Sequence, residues 1–544
     1  MMASIVSRIL NVMLLAALTT QLVACSKQDD TPVKKANAAK ILLIGNGDEP
    51  KDLDPHVTTG MPEAYIVRAL LEGLVTRDAK TLEILPGVAE SWAVSDDGLH
   101  YNFKLHHNAK WSNGEPVTAT DFVWSWQRAL MPALGNQYAY SLFVLENAKA
   151  FNEGKLTDFS QVGVKAKSDY ELDVTLAAPT PYFLQLLDHH SFYPVHRATV
   201  EKFGKIDQQG NTWTRPGNYV GNGPFVLEEW TPNKVIAVKK SPTYWDAAAI
   251  KLNGINFYPV QQAATEERMF RAGQLHITNS VPPEKIASYR QENTGNLRIG
   301  PFFGTYFYRF NTQQKPMNDV RVRQALAYSI DRKKITDKVT KAGQIPAFTF
   351  TPPVKGGYIA EAAVPYNPEL ARKLLADAGY AGGTGFPITT LLYNTMDDHQ
   401  KIAVALQQMW KTELGIDIQL ENQDWKVYLA SVQAGHYQMA RAAWIGDYTD
   451  PNTFLEMFLT NGGNNETGWS NARYDQLIEL AGKTGDQQQR YAYFQEAEKI
   501  IMKEVPILPI YTYVSKHLVA SSVKDWPDNV LDYYPYKSVY LDDK

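Results

Sequence analysis

The feature that most constrains the fold is an alternation of helix and strand patterns through residues 368–445. Apolar residues recur at helical spacing in some segments, whereas others carry short apolar or alternating runs typical of strands. In chain order, the patterns predict a helix at 368–379, a strand at 387–392, a helix around 402–410, a strand at 416–420, a helix at 425–434 and a strand at 437–445. Alternating strands and helices pack as an α/β layer structure, so this part of the chain is predicted to form an α/β lobe.

The chain is too long for one hydrophobic core. It has 544 residues, whereas single cores stop growing at about 250–300 residues. No internal repeat of fixed short period is visible, which gives no support to a solenoid. Two or three lobes are therefore expected.

Charge and composition limit the classes of function that this chain can have. The formal net charge is −4, and basic and acidic residues are interspersed. Because no basic stripe is present, nucleic acid is not expected as a partner. The 12 Trp and 30 Tyr supply flat, amphipathic side chains that suit a pocket accepting varied apolar groups.

The single cysteine, Cys25, ends a predicted signal peptide of residues 1–25. Arg8 precedes an apolar run over residues 9–18, too short to span a bilayer, and Leu-Val-Ala leads into the cysteine. This sequence resembles a bacterial lipobox, which implies lipidation of Cys25 and a membrane anchor; a plain secretory signal cut at another small residue is the alternative. The polar stretch 26–39 is predicted to be a flexible tether.

The last predicted strand carries opposite charges near its two ends. Arg441 and Asp447 have the same parity, so on an extended chain they face the same way. Six residues separate their Cα atoms by roughly 20 Å, and the arginine side chain spans part of that distance. The remaining gap is about the length of a short extended zwitterion. The alternative is that both are surface charges at the ends of a buried strand.

No sequence motif supports catalysis or metal binding. Phosphate-binding glycine loops, nucleophile elbows and zinc-protease motifs are not found, although a triad assembled from distant residues would leave no such motif. The pairs His106-His107 and His189-His190 are neighbours that point to opposite faces of a strand, which makes them poor chelates. Neither a metal nor a cofactor is expected.

Several ordered motifs together resemble one family. They are Ala-Glu-Ser-Trp at 89–92, Lys-Trp-Ser-Asn-Gly-Glu-Pro-Val-Thr-Ala-Thr-Asp-Phe at 110–122, Gly-Asn-Gly-Pro-Phe at 221–225, Ser-Pro-Thr-Tyr-Trp-Asp at 241–246 and Asn-Asp-Val-Arg-Val-Arg-Gln-Ala at 318–325. From about residue 40 to its C-terminus, the chain resembles the family-5 extracellular solute-binding proteins of ABC importers, most closely the periplasmic oligopeptide-binding members. The resemblance implies an α/β fold of the type II-like periplasmic-binding-protein class, with two large lobes around a ligand cleft and a small accessory lobe.

The resemblance also implies lobe boundaries. Lobe I is expected at 40–71, 196–303 and 513–544, lobe II at 72–195 and lobe III at 304–512. The chain is expected to cross between the walls of the cleft near residues 258–303 and 511–519.

By the same resemblance, the strand of Arg441 to Asp447 binds the ligand. Asp447 is expected to take the ammonium group of a peptide, and the backbone of Ala443 and Ile445 is expected to run beside the ligand as a neighbouring strand does. Arg441 and His399 are expected to meet the carboxylates of ligands of different lengths.

Further residues are expected around the cleft. Trp444 belongs to the same strand; Trp425, Tyr138 and Tyr513 match aromatic residues of the family, and Met61 matches a backbone contact. Because large rings are usually core residues, a structural role is the alternative for the aromatic side chains.

Two positions depart from the family pattern. Where close relatives carry a lysine, this chain has Thr340 followed by Lys341, and where they carry an acidic residue it has Thr59. Both positions are expected to affect which peptide lengths and which ligand side chains the protein prefers.

The predicted function is the substrate-binding component of a peptide ABC importer. It would capture short peptides in the periplasm or cell envelope, attached through Cys25, and deliver them as a monomer to a permease and an ATPase without performing chemistry. The alternatives are a carrier for murein tripeptide, dipeptides, haem or a nickel chelate and, more remotely, an envelope peptidase.

Overall fold

The computed structural model describes residues 31–354 and 357–542, so the predicted signal peptide, with Cys25, lies outside the described residues. Within these ranges, none of the helices combines the length and the apolar character needed to cross a membrane.

The strands and helices follow one another from the first described residues to the last. The strands are β1 (Ile41–Gly45), β2 (Val75–Arg77), β3 (Ile84–Pro86), β4 (Ala89–Val94), β5 (His100–Leu105), β6 (Val164–Ser168), β7 (Glu171–Thr175), β8 (Phe225–Thr231), β9 (Val235–Lys240), β10 (Gly254–Tyr258), β11 (Leu297–Phe310), β12 (Ile345–Pro346), β13 (Thr389–Asn394), β14 (Ile418–Gln423), β15 (Met439–Ile445), β16 (Ile507–Leu518), β17 (Val523–Lys524) and β18 (Tyr540–Leu541). The α-helices are α1 (Pro32–Ala39), α2 (Met61–Leu70), α3 (Ala119–Leu130), α4 (Ala148–Asn152), α5 (Phe183–Leu186), α6 (Arg197–Phe203), α7 (Ala263–Arg271), α8 (Pro283–Glu292), α9 (Val320–Tyr328), α10 (Arg332–Lys334), α11 (Pro368–Asp377), α12 (Asp397–Leu414), α13 (Trp425–Gln433), α14 (Asn452–Leu455), α15 (Ala472–Gly482) and α16 (Gln487–Glu504).

The predicted α/β lobe is present in the second half of the chain. Its sheet has the strand order β12-β16-β11-β15-β13-β14. Strand β13 pairs in parallel with both β14 and β15, whereas β11 is antiparallel to β15 and β16, so the sheet is mixed. Phe307 and Leu391 from the strands and Trp410 from α12 belong to one buried core. The strand order places β15 in the interior of the sheet, between β11 and β13.

The first half of the chain contributes two smaller sheets. One has the order β1-β10-β9-β8, with β1 parallel to β10, and the other is the antiparallel sheet β4-β5-β7-β6. Helix α3 packs against the second sheet, and it begins with a capping box between Thr118 and Asp121. Such a cap stabilises a helix by about 1 kcal/mol.

Two long strands link the α/β lobe to the sheet that contains β1. Strands β11 and β16 pair along most of their length, with an irregularity between Pro301 and Thr305. Just beyond the end of β16, Val519 bridges to Ile277, and Ile277 in turn bridges to Ile44 in β1. The two sheets therefore meet beside this strand pair, and the space between them is the cleft that holds the site.

One sequence expectation was wrong for part of its range. The stretch 26–39 was predicted to be a flexible tether, but Pro32–Ala39 forms helix α1. Thr31 caps the helix, Ala36 packs with Leu43 and Leu275, and Asn37 forms a 2.8 Å hydrogen bond with His276. The polar composition concealed two residues that are buried by contacts from distant parts of the chain.

Candidate functional site

A cavity of about 360 Å³ lies between the two linked sheets. This volume falls within the range of sites that bind small molecules. It is lined by all ten residues that the sequence analysis selected: Met61, Tyr138, His399, Trp425, Arg441, Ala443, Trp444, Ile445, Asp447 and Tyr513. The structure therefore brings these residues together around one space, while their individual contacts with a ligand remain predictions.

Strand β15 borders the cavity with an edge that is free over most of its length. Its other edge pairs with β11 from Met439 to Ile445. On the free side β13 pairs only with the beginning of β15, and the last pair joins Leu392 to Ala440. From Arg441 onward, no strand of the described residues pairs with this edge.

The direction of the backbone groups follows from two hydrogen bonds and the strand alternation. The N–H of Gly446 donates to a carbonyl oxygen of β11 at 2.8 Å, so it points away from the free edge. The carbonyl oxygen of Arg441 accepts a hydrogen bond from the Tyr428 hydroxyl on the other side. Ala443 and Ile445 share the parity of Arg441, so their N–H and C=O groups also face the free edge. An extended peptide placed there meets unpaired donors and acceptors.

Asp447 lies just past the end of β15, at one end of this edge. Its side chain is 18% exposed, and its Oδ1 is 3.5 Å from Nε2 of His189. Its backbone N–H donates to the Thr453 hydroxyl, and its carbonyl oxygen accepts from Arg77 at 3.0 Å. The guanidinium group of Arg77 is itself paired with Asp188 at 2.8 Å. Within the described ranges, no lysine or arginine lies within ion-pair distance of the Asp447 carboxylate.

The electrostatics of this end favour a cationic guest. Burial raises the pKa of Asp447 to about 7, although Arg77 and the Thr453 hydroxyl act in the opposite direction. Burial, together with His190 and nearby arginines, holds the pKa of His189 well below its usual range, so His189 is neutral at pH 7. The carboxylate of Asp447 thus lacks a compensating charge, and a ligand ammonium would supply it.

Arg441 lies at the opposite end of the free edge, and no carboxylate of the described residues lies within ion-pair distance of it. Its side chain donates to the Tyr513 hydroxyl at 2.8 Å and to the Asn394 side chain at 3.4 Å, and its guanidinium carbon is 4.8 Å from the centroid of the Tyr306 ring. Its Nε has no hydrogen-bond partner among the described residues. Arg441 is 9% exposed. A buried cation with an unused donor is suited to a ligand carboxylate.

His399 lies near Arg441, but it is not a second cation. Its Nδ1 is 3.3 Å from the Tyr306 hydroxyl. Burial, with Arg441 and Lys516 nearby, holds the pKa of His399 well below its usual range. Lys516 is paired with Asp398 at 2.7 Å. His399 is therefore a neutral hydrogen-bonding group at pH 7.

The predicted aromatic residues form two patches on the cavity wall. Tyr138 packs between His189 and Trp444, with ring centroids 4.4 and 5.9 Å away. Trp425, at the start of α13, stacks on Tyr428 with centroids 5.8 Å apart. These flat surfaces suit ligand side chains of varied shape.

The first-half wall contributes the N-terminus of helix α2. Met61 is its first residue, and Gly60 at the N-cap position offers no side chain to the free N–H groups of the first turn. Thr59, Gly60 and Met61 all line the cavity. This arrangement agrees with the predicted backbone contact at Met61 without testing it.

At Thr340 and Lys341, where the sequence departs from the family pattern, no charged group reaches the cavity. The Thr340 hydroxyl is buried and donates to the side chain of Gln344 at 2.8 Å. Lys341 is exposed, has left-handed backbone geometry with φ 58°, and is not part of the cavity wall. A one-residue offset thus directs this ammonium to solvent.

Sequence reasoning missed several cavity residues, among them Arg77, Asp188 and Asp48. They lie far from β15 in the chain, and no motif marks them. His189 was recognised only as half of an adjacent histidine pair. In the structure, the two ring centroids lie 4.0 Å apart with the rings tilted by 40°, and His190 Nε2 bonds to the carbonyl oxygen of Thr58 at 3.0 Å. This pair therefore forms part of the wall near Asp447.

Comparison with known proteins adds an independent line of evidence. Residues 83–466 match the model of the middle part of the bacterial extracellular solute-binding proteins, family 5. The chain is 39% identical to the periplasmic murein peptide-binding protein of Escherichia coli over 94% of this chain and 95% of that protein. It is 38% identical to the periplasmic oligopeptide-binding protein of Salmonella typhimurium over 97% of this chain and 96% of the relative.

Solved structures agree with the sequence matches. The oligopeptide-binding protein of Haemophilus influenzae in complex with the peptide RPPGFSPFR is similar with a TM-score of 0.86 at 36% identity, covering 92% of this chain and 99% of that one. The murein tripeptide-binding protein of Escherichia coli has a TM-score of 0.87 in one structure, at 38% identity, but 0.61 in its unliganded open form. The conformation described here is thus closer to the peptide complex than to the open form.

Proposed function

The chain belongs to the bacterial extracellular solute-binding proteins of family 5, and we propose that it is the substrate-binding component of a peptide ABC importer. The observation that carries this proposal is a pair of opposite charges, Asp447 and Arg441, at the two ends of one free strand edge inside one cavity. In the part of the chain that the structure describes, neither of them has an ion-pair partner among the lysine, arginine, aspartate and glutamate side chains. It binds and delivers its ligand without performing chemistry.

A short peptide is the ligand that this geometry fits. Its ammonium group meets Asp447, its backbone pairs with Ala443 and Ile445, and its carboxylate meets Arg441. Each contact uses a feature common to all unmodified peptides, so the side chains remain free to vary. The similarity to proteins named for oligopeptides and for a murein peptide supports this class of ligand.

Calorimetric titration with capped and uncapped peptides tests the proposal. Tri-, tetra- and pentapeptides with free ends are expected to bind, and N-acetylation is expected to weaken binding of every length because it removes the ammonium. C-terminal amidation is expected to weaken only those lengths whose carboxylate reaches Arg441. Equal affinity for acetylated and free peptides, or no binding of any length, would contradict the proposal.

A murein tripeptide is the second candidate, because a murein peptide-binding protein is among the similar relatives at 39% identity. Competition between murein tripeptide and plain tripeptides of the standard amino acids separates the two. If murein tripeptide alone binds, the chain is a murein peptide carrier. If both bind at one site with similar affinity, the ligand class is peptides in general.

The surrounding assembly is also part of this proposal. The chain closes two large lobes on the ligand by hinge motion and presents it to a membrane permease and its ATPase. Residues 40–71, 196–303 and 513–544 form lobe I, residues 72–195 form lobe II and residues 304–512 form lobe III. The chain is a monomer, and lipidation of Cys25 anchors it to a membrane on the periplasmic side. Gel mobility of a Cys25→Ala variant tests the anchor; unchanged processing and a fully soluble product would contradict it.

A further inference from the structure

A second carboxyl group lines the cavity, on the wall opposite β15, and has no cationic partner among the described residues. Asp48 belongs to the loop after β1 and is 4% exposed. Its Oδ1 accepts no hydrogen bond from the described residues, and neither does Oδ1 of Asn46, which is 1% exposed and lines the same space. Two acceptor oxygens on one loop are thus buried and unused.

The loop that holds these oxygens is fixed by its own hydrogen bonds. The side-chain amide of Asn46 donates to the carbonyl oxygens of Asp48 at 3.1 Å and of Pro62 at 3.2 Å. The backbone N–H of Asn46 donates to the carbonyl oxygen of Tyr258 in β10 at 2.7 Å. The side-chain oxygen of Asn46 and the backbone of Asp48 are therefore held in place before any ligand arrives.

We propose that Asp48 and Asn46 form a subsite for the cationic side chain of a peptide ligand, lysine above all, at one of its last two residues. A lysine ammonium has three donors and no acceptor, which complements a pair of acceptor oxygens. A buried carboxylate is stable when a cation pairs with it. The inference rests on the proposed function, and it names the ligands which that site prefers.

The position of the subsite along the ligand follows from the contacts of its loop. The Asn46 side chain bonds to the carbonyl oxygen of Pro62, the nearby Gly60 packs against Trp425, and Tyr428, which stacks on Trp425, donates to the carbonyl oxygen of Arg441. Among the groups around Asp48, Gln261 and Arg441 favour its ionisation, whereas Glu63 and Asp424 disfavour it. Burial is the largest influence and raises the pKa of Asp48 to about 7. Because Arg441 is the group that faces the ligand carboxylate, the subsite lies at the carboxylate end.

A lysine scan of tetra-alanine, with norleucine as the uncharged match at each position, tests the inference by calorimetry at pH 8. Lysine at the third or fourth position is expected to bind about tenfold or more tightly than norleucine there. Lysine at the first two positions is expected to gain less than about threefold. A wild-type protein that binds norleucine and lysine peptides equally at every position would overturn the subsite but leave peptide binding intact. If no peptide in the scan binds, the proposed function itself fails.

Asp48→Asn is the variant that isolates the subsite. It is expected to reduce the lysine-to-norleucine affinity ratio to within about twofold while the norleucine peptides bind as they do to the wild type. Asp424→Asn is the matched control: it removes the same charge from the same neighbourhood, but Asp424 is exposed, caps α13 and does not line the cavity. A ratio that survives Asp48→Asn, or that falls equally in both variants, would contradict the assignment.

A pH series on the wild type gives a readout that needs no variant. The lysine-to-norleucine ratio is expected to rise several-fold from pH 6 to pH 8, because only the ionised carboxylate attracts the ammonium. Taking the ratio removes the contribution of Asp447, which meets both ligands alike. A ratio that does not change over this range would contradict the role of Asp48.

Discussion

The two ends of the cavity handle charge in different ways. At one end, Asp447 has no cationic partner among the described residues, since the neighbouring Arg77 is committed to Asp188 and His189 is uncharged. At the other end, Arg441 shares its surroundings with hydroxyl groups, an amide and the neutral His399. We therefore expect one strong anchor at the Asp447 end and a set of polar partners, Arg441 among them, at the other end.

This difference matches what varies among peptides. Every peptide begins with an ammonium group, so one dedicated carboxylate serves all of them. The position of the C-terminal carboxylate of the ligand depends on the length of the ligand. A set of alternative protein partners therefore suits it better than a single fixed partner. We infer that affinity is concentrated at the Asp447 end and selectivity at the Arg441 end.

The largest effect is expected from Asp447→Asn. The substitution keeps the shape of the side chain but leaves the ligand ammonium without its counter-charge in a buried site, so affinity for free peptides should fall about 100-fold or more. Calorimetry with a free peptide and its N-acetylated form measures this; the acetylated form should be almost unaffected. If the variant bound the free peptide with wild-type affinity, the inferred difference between the two ends of the cavity would be contradicted.

The same variant provides its own control for folding. The pKa of Asp447 is raised in the folded protein to about 7, above the usual value of about 3.9 in an unfolded chain. Ionisation therefore favours the unfolded state, and this cost grows as pH rises from about 4 to 7. The ligand-free variant should melt at the same temperature as the wild type or higher at pH 8. A lower melting temperature would indicate that the lost affinity comes from damage to the fold.

A smaller effect is expected from pH. The ligand ammonium binds the ionised form of Asp447, so affinity for a free peptide without basic side chains should fall as pH drops below about 7, by at most tenfold per pH unit. Between pH 7.5 and pH 5.5 this amounts to roughly 25-fold, while the ligand amine, with an ordinary pKa of about 7.7–8.0, stays mostly protonated. Calorimetry across this range checks the slope, with Asp447→Asn as the matched control. If the variant follows the same slope, another group is responsible.

The smallest of these effects is expected from Arg441→Met. It removes the charge at the variable end but keeps an extended apolar side chain, and neighbouring polar groups still face the carboxylate. Affinity should fall about tenfold for peptide lengths whose carboxylate reaches this residue, and hardly at all for their amidated forms. A loss as large as that of Asp447→Asn for every length would show that the two ends are equivalent anchors.

Much of the fold could be predicted from local sequence patterns. The alternation in the second half of the chain predicted helices and strands that the structure places at nearly the same residues, including α11, α12, α13 and β15. The helix of Pro32–Ala39 was missed because its burial depends on Leu275 and His276, more than 200 residues away in the chain. Composition reports the average polarity of a segment, not which of its residues meet a distant partner.

The sequence by itself determined the strand of Arg441 to Asp447, the parity of its two charges and the family that its motifs resemble, since these depend only on residue order and spacing. The tertiary structure alone decided that the edge of β15 is free after Ala440, that Arg77 is committed to Asp188 and that Asp48 faces the same cavity. These facts depend on where β13 ends and on which distant loops meet, and no local pattern encodes them. Arg441 and Asp447 were readable from the chain; the other charges of the site, and which charges lack a partner among the described residues, became visible only when distant segments were brought together.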